Sequence, residues 1–163
     1  HTTIQYGGGA VFVGGNVEII SSINLTDARP TVTHNTIQFN ANAALSATPN
    51  SFAETSFHAP EFQATPFTAD YSRVGPEIHG NLIKDNSING ILIRIATPAG
   101  GDLNRLDVAA RFDDLDIVHV IAENLIIDNG AGGPVQTGVD PITGEPILKA
   151  RLDSSLIIDP GTI

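Results

Sequence analysis

One six-residue pattern, Asn-x-Ile-x-x-Asn, occurs three times in this chain. It reads Asn35-Thr36-Ile37-Gln38-Phe39-Asn40, then Asn81-Leu82-Ile83-Lys84-Asp85-Asn86, then Asn124-Leu125-Ile126-Ile127-Asp128-Asn129. Two worn copies flank these, Thr2-Thr3-Ile4-Gln5-Tyr6-Gly7 and Ser155-Leu156-Ile157-Ile158-Asp159-Pro160. A short strand closed by an Asn turn and repeated along the chain marks a parallel β-solenoid, in which each repeat stacks on the one before it. The steps between central Ile residues are 33, 46, 43 and 31. They are uneven because stacking constrains only the strands, ~4.8 Å apart, and leaves loop length free. Ile4, Ile37, Ile83 and Ile126 are therefore expected to form one interior column of parallel strands.

Composition agrees with strands. The apolar load sits in Ile, Val, Leu and Ala, the residues of buried parallel strands, while Met, Trp and Cys are absent. Sixteen Gly and ten Pro supply frequent turns. A chain of 163 residues suffices for one domain with its own core. The formal net charge of −10 argues against a nucleic-acid partner, which needs a basic face. No stretch is apolar and long enough for membrane insertion as a helix. Without Cys there is no disulfide or thiolate chemistry, although this does not fix the compartment.

The chain is read as a single repeat segment, residues 1–163, with two long loop excursions at 41–76 and 97–116. The first excursion is rich in Ala, Thr, Ser and Pro, too Pro-rich for a regular strand. It carries Phe52, Phe57, Phe62, Phe67 and Tyr71 at nearly even spacing. Residues 10–13 and 17–20 read as strands divided by Gly14-Gly15-Asn16, and Asp140-Pro141-Ile142-Thr143-Gly144-Glu145-Pro146 reads as a turn or hairpin tip. His1 leads directly into a strand, and Ile163 follows the turn at Asp159-Pro160-Gly161. The segment is therefore expected to be a slice of a longer chain, prone to end-to-end self-association or to fraying at its terminal strands.

The repeats resemble those of right-handed parallel β-helix proteins, the pectate-lyase-like superfold, over nearly all the chain except residues 41–70. More narrowly, His79-Gly80-Asn81-Leu82-Ile83 through Ser87-Ile88-Asn89-Gly90-Ile91-Leu92-Ile93-Arg94, then Arg111-Phe112-Asp113-Asp114-Leu115-Asp116-Ile117-Val118-His119-Val120, and Ser155-Leu156-Ile157-Ile158-Asp159-Pro160-Gly161 resemble segments of very large surface or secreted bacterial proteins of the planctomycete type. The resemblance implies an all-β, right-handed parallel β-helix with irregular coils and an extracellular or cell-surface location. It is nearly silent on activity, because this superfold hosts lyases, hydrolases, adhesins and stalks alike.

The candidate chemistry is sparse. Asn40, Asn86 and Asn129 are expected to serve structure, their stacked amides satisfying groups that a buried corner would strand. Asp113, Asp114 and Asp116 form the one acidic cluster. Solvated loop charge, a Ca²⁺ site of hard oxygen ligands or a glycosidase acid–base pair are all open to it. The run Asp85-Asn86-Ser87-Ile88-Asn89-Gly90 imitates an EF-hand loop, but Ala96 stands where a bidentate acid is needed. A lyase of this superfold needs basic residues beside bound Ca²⁺, and only two Lys and six Arg exist. His79-Gly80 precedes Asp113-Asp114, the reverse of the polygalacturonase-like order, and Arg-x-Lys is missing. The five His show no zinc spacing. The aromatic series either folds the excursion onto the repeat or stacks on sugars.

These observations lead to a structural or adhesive element of a large extracellular protein: a rigid stalk, spacer or assembly module. The alternatives are a carbohydrate-active module, binding polysaccharide more readily than hydrolysing or cleaving it, and a Ca²⁺-stabilised surface-layer component. Partners would be polysaccharide or neighbouring surface proteins. No catalytic residue is assigned.

Overall fold

The computed structural model describes residues 1–54, 75–95, 105–127, 135–149 and 154–163. The protein is all-β: among the described residues there are seventeen strands and one 3₁₀ turn at Pro49–Phe52. Three strands form the first parallel ladder: β1 (Thr3–Gln5), β6 (Thr36–Gln38) and β9 (Leu82–Lys84). Ile4 lies opposite Ile37 and Ile37 opposite Ile83. The expected column exists for these three copies. Ile126 does not join it. It sits in β14 (Ile126–Ile127), opposite Arg105 of β11 (Arg105–Leu106).

The largest ladder is four-stranded and also parallel. It runs from β4 (Ile23–Leu25) through β7 (Ala43–Ala47) and β10 (Ile88–Ile93) to β13 (His119–Ile121). Every residue of β7 is buried. Its Ala-Ala-Leu-Ser-Ala sequence is small because both faces are covered. The one hydroxyl, Ser46, is satisfied by Asn24 Oδ1. Gly90 lets β13 approach β10, since a Cβ there would fall 2.5 Å from the Val118 carbonyl oxygen.

Further parallel pairs are β5 (Thr31–Thr33) with β8 (Glu77–His79), and β12 (Ala109–Phe112) with β17 (Ser155–Ile158). Two antiparallel hairpins complete the set. They are β2 (Gly9–Val13) with β3 (Asn16–Ile20), and β15 (Val135–Val139) with β16 (Pro146–Lys149) around the expected tip. The chain visits β5, β6 and β7 and then, in the same order, their partners β8, β9 and β10. The offset is 46 residues in all three: Thr31 meets Glu77, Thr36 meets Leu82 and Leu45 meets Ile91.

The ladders share one apolar core, which includes Leu25, Ile37, Leu45, Ile78, Ile91 and Phe112. Two boundaries differ from the sequence expectation. The first excursion begins later than residue 41, because 43–47 form the central strand β7. Residues 105–112 of the second excursion likewise form β11 and β12. In both cases buried small or alternating residues outweigh the Pro- and Asp-rich neighbourhood.

Candidate functional site

The Asn residues of the repeat build two columns of hydrogen bonds beside the β1-β6-β9 ladder. In the first, Asn81 Oδ1 accepts from Asn35 N at 2.9 Å, and Asn35 Oδ1 accepts from Thr2 N at 3.0 Å. In the second, Asn86 Oδ1 accepts from Asn40 N at 3.1 Å and from Asn40 Nδ2 at 2.7 Å, while Asn40 Oδ1 accepts from Gly7 N at 2.8 Å. Each amide also gives its own donors inward: Asn86 Nδ2 to Ile37 O at 2.9 Å, and Asn81 Nδ2 to Val32 O at 2.6 Å. The residue before each turn has a left-handed backbone, with φ of 59° at Tyr6, 56° at Phe39 and 55° at Asp85. A bend of that kind turns backbone donors away from the strand ladder, and the Asn amide of the next level takes them up. Asn35, Asn40, Asn81 and Asn86 thus each hydrogen-bond backbone groups of a neighbouring level. Asn129 lies outside the described residues.

Rings meet on the same levels, Tyr6 stacked on Phe39 and the His rings edge-on. Tyr6 lies over Phe39 with centroids 5.9 Å apart, and His34 lies between His1 and His79 at 5.6 Å and 5.4 Å. Gly80 leaves room for that His column, because a Cβ there would stand 3.1 Å from His34 Nε2.

The acidic cluster follows β12. Asp114 Oδ1 accepts from Ile78 N at 3.0 Å, and Asp116 Oδ2 accepts from Gly80 N at 2.7 Å. The two carboxylates lie along one edge of β8, at alternate residues. Burial raises the Asp114 carboxyl to about 7, against the Ile78 amide, and the charges of Asp113 and Asp116 add to the rise. Burial also raises Asp113. Arg111 does not face this cluster as its main partner. Its Nη2 stands 2.7 Å from Asp159 Oδ1 and its Nε donates to the same oxygen at 2.9 Å, with Glu54 at 3.8 Å. Among the described residues, no group of three or more His, Cys, Asp or Glu side chains is placed to hold a metal ion.

Of the aromatic series, Phe52 packs inward. It is 1% exposed, with its ring 4.6 Å from Phe112 and 5.8 Å from His119. His119 in turn stacks on Phe112 at 4.7 Å. Both His119 ring nitrogens are buried without a hydrogen-bond partner among the described residues, and burial holds the imidazole below its ordinary range. Phe57, Phe62, Phe67 and Tyr71 lie outside the described residues.

One further feature carries no sequence signal: a polar cleft of about 550 Å³. Four separate segments meet there. Thr48 Oγ1 donates to Asp27 Oδ1 at 2.7 Å, and Asp107 N donates to Asn50 Oδ1 at 3.2 Å. Arg94 Nη2 donates to Leu25 O at 2.6 Å and to Thr26 Oγ1 at 2.9 Å, and Arg105 completes the wall. Burial lowers the Arg94 guanidinium, with Asp27 pulling it back. No spacing in the sequence joins these residues, so no motif search would have found them. The volume falls in the range of small-ligand sites, with hydroxyl, amide, carboxylate and guanidinium groups on its walls.

Neither a family model, nor a curated protein, nor a solved structure matches this chain.

Proposed function

We propose that the chain is a segment of a right-handed parallel β-helix, serving as a rigid structural or adhesive element of a large extracellular or cell-surface protein. The observation that carries this reading is the 46-residue offset shared by three ladders. A chain that revisits three ladders in one order, at one offset, winds about an axis, and parallel crossovers wind right-handed. The polar side chains that might have done chemistry also favour a scaffold role. Asn35, Asn40, Asn81 and Asn86 tie successive levels together, and Asp114 and Asp116 hold backbone amides. A carboxylate already engaged in this way is poorly placed as a general acid or base. Incubation with pectin, alginate and common glycans should leave reducing-sugar release and unsaturated-product absorbance at background. Turnover abolished by Asp114→Asn would sink the structural reading.

A second reading, binding of polysaccharide without turnover, draws on the cleft between Asp27, Asn50, Arg94 and Asp107. Titration of the chain with oligosaccharides, followed by amide NMR shifts, separates it from the first. Saturable shifts at these residues that vanish in Asp107→Ala would favour it.

A further inference from the structure

The β2–β3 hairpin carries an apolar face that nothing among the described residues covers. Ala10 pairs with Ile19 and Phe12 with Val17, so all four side chains point to one side. Phe12 is 76% exposed, Val17 65% and Ile19 66%, and Ala10 is exposed as well. Among the described residues, β2 and β3 pair only with each other. Their Gly14-Gly15 turn has φ of 58° and 92°, the two-residue geometry that makes the flanking Val13 and Asn16 a hydrogen-bonded pair. Bonded pairs alternate along an antiparallel ladder, so Val11 and Glu18 form the next one. Ala10 and Phe12 therefore turn their backbone N–H and C=O groups away from β3. No described residue bonds to them there.

We propose that this outer edge of β2 is a self-association surface, on which β2 of a second copy of this chain pairs antiparallel about a two-fold axis at Val11. In that register Ala10 lies opposite Phe12 of the second copy, and each such pair exchanges two backbone hydrogen bonds. Every outward donor and acceptor of both edges is then used. The large Phe12 ring meets the small Ala10 side chain, and the two Phe12 rings meet diagonally across the axis. Gly8 has no side chain and leaves room for the tip of the opposing hairpin. The product is a four-stranded sheet, wide enough to be stable where a lone hairpin is marginal.

The sequence of each edge selects this occupant. β2 reads Gly-Ala-Val-Phe-Val, without the charge or proline that blunts an exposed edge. β3 is charged, and pairing it with its own copy about Glu18 would set two carboxylates opposite each other. β3 also lies toward the body of the protein, since Ile19 lines an apolar groove with Leu92, Ile95 and Ala122. A lipid surface suits the apolar face but not the edge, because the outward N–H and C=O groups find no partner in hydrocarbon. The contact is small and two-fold, so it closes at a dimer of the weak, transient class. It rests on the hairpin alone and stands whether or not the whole chain is a β-helix.

Sedimentation of the full chain up to about 1 mM tests the pairing, in about 0.5 M salt so that the net charge of −10 on each copy is screened. A monomer–dimer equilibrium is expected. The Ala10 and Phe12 amide resonances should shift with concentration while those of the β15–β16 hairpin stay fixed. Ala10→Pro removes one outward donor from each copy and leaves the Val11–Glu18 bonds. It should weaken dimerisation at least tenfold with an unchanged circular-dichroism spectrum. If that variant loses structure, Phe12→Lys takes its place with the same expectation, since it sets like charges across the axis. A chain that stays monomeric, a dimer that survives these substitutions, or assembly beyond the dimer overturns the pairing. Flotation with phosphatidylcholine vesicles that is lost in Phe12→Lys would make the face a membrane contact and overturn it too.

Discussion

In the first half of the chain, three copies of the repeat lie in one ladder, Ile4 on Ile37 on Ile83, with an Asn column on each side. In the second half, the next copies scatter. Ile126 pairs with Arg105, Ile157 pairs with Arg111, and Asn124 makes no side-chain hydrogen bond among the described residues. The motif is nearly the same, so the motif alone does not make the stack. The return path matters. From Leu45 the chain takes 46 residues to reach the next level of the four-stranded ladder, but from Ile91 it takes only 28 to reach His119. Among the described residues of the shorter path, none adds a rung to the β1-β6-β9 or β5-β8 ladder. Asp114 and Asp116 fill part of the gap with side chains. An Asn column grows only while the next level places an amide above a backbone donor.

The sharpest way to break this comparison is a buried charge. Ile37→Asp should cost about 3–5 kcal/mol in chemical denaturation, because Ile37 is fully buried between two rungs. Ile126→Asp, at a partly exposed site in a two-stranded ladder, should cost about 1 kcal/mol. Equal losses would mean that both halves share one column after all.

Next come the columns themselves. Asn86→Ala removes the acceptor for Asn40 N and Nδ2 and the donor to Ile37 O, and should cost about 2 kcal/mol. Asn124→Ala should change stability by less than about 0.5 kcal/mol. A large Asn124 effect would show that the third copy carries a column of its own.

The pH profile sharpens the second half. Asp114 is raised in the folded state, to about 7, from an unfolded value near 3.8. The folded state therefore holds more protons in between, and this group's contribution is complete below about 3.8 and lost as pH rises through about 7. His119 is lowered from 6.5, so its contribution is complete above that value and is lost as pH falls below it. The two oppose each other over the weakly acidic range. Asp114→Asn should expose a loss of stability on acidification, and His119→Phe should expose a loss toward neutral pH. The Asp114 contribution should amount to about 1 kcal/mol after allowing for solvent screening. Parallel profiles for wild type and both variants would discard the assignment.

The last expected effect is at the His column. Gly80 has φ of +64°, and a Cβ there would press on His34. Gly80→Ala should cost about 1 kcal/mol and shift the His34 ring resonances. Unchanged His34 resonances would show that the ring is not held by that contact.

The strand content, the parallel column through Ile4, Ile37 and Ile83 and the hairpin tip near Pro141 were legible because each rests on local pattern or repetition. Strand β7 was not, because Ala43-Ala44-Leu45-Ser46-Ala47 has weak strand character and becomes a central strand only through burial between β4 and β10. The hydrogen bonding of Asp114 and Asp116 was equally hidden, since their partners lie 36 residues earlier on β8. The inward packing of Phe52 required Phe112 and His119 to arrive from a later part of the chain.

By itself, then, the sequence determined the strand-rich class, the strands of the repeat through Ile4, Ile37 and Ile83 and where the chain turns, because period, turn chemistry and repetition act over a few neighbouring residues. Only the tertiary structure decided how many rungs each ladder has, which copies of the repeat enter it, what closes the β8 edge and that Asp27, Asn50, Arg94 and Asp107 wall one cleft. Those outcomes depend on return paths of twenty to fifty residues, whose lengths set which backbone amide arrives opposite which side chain.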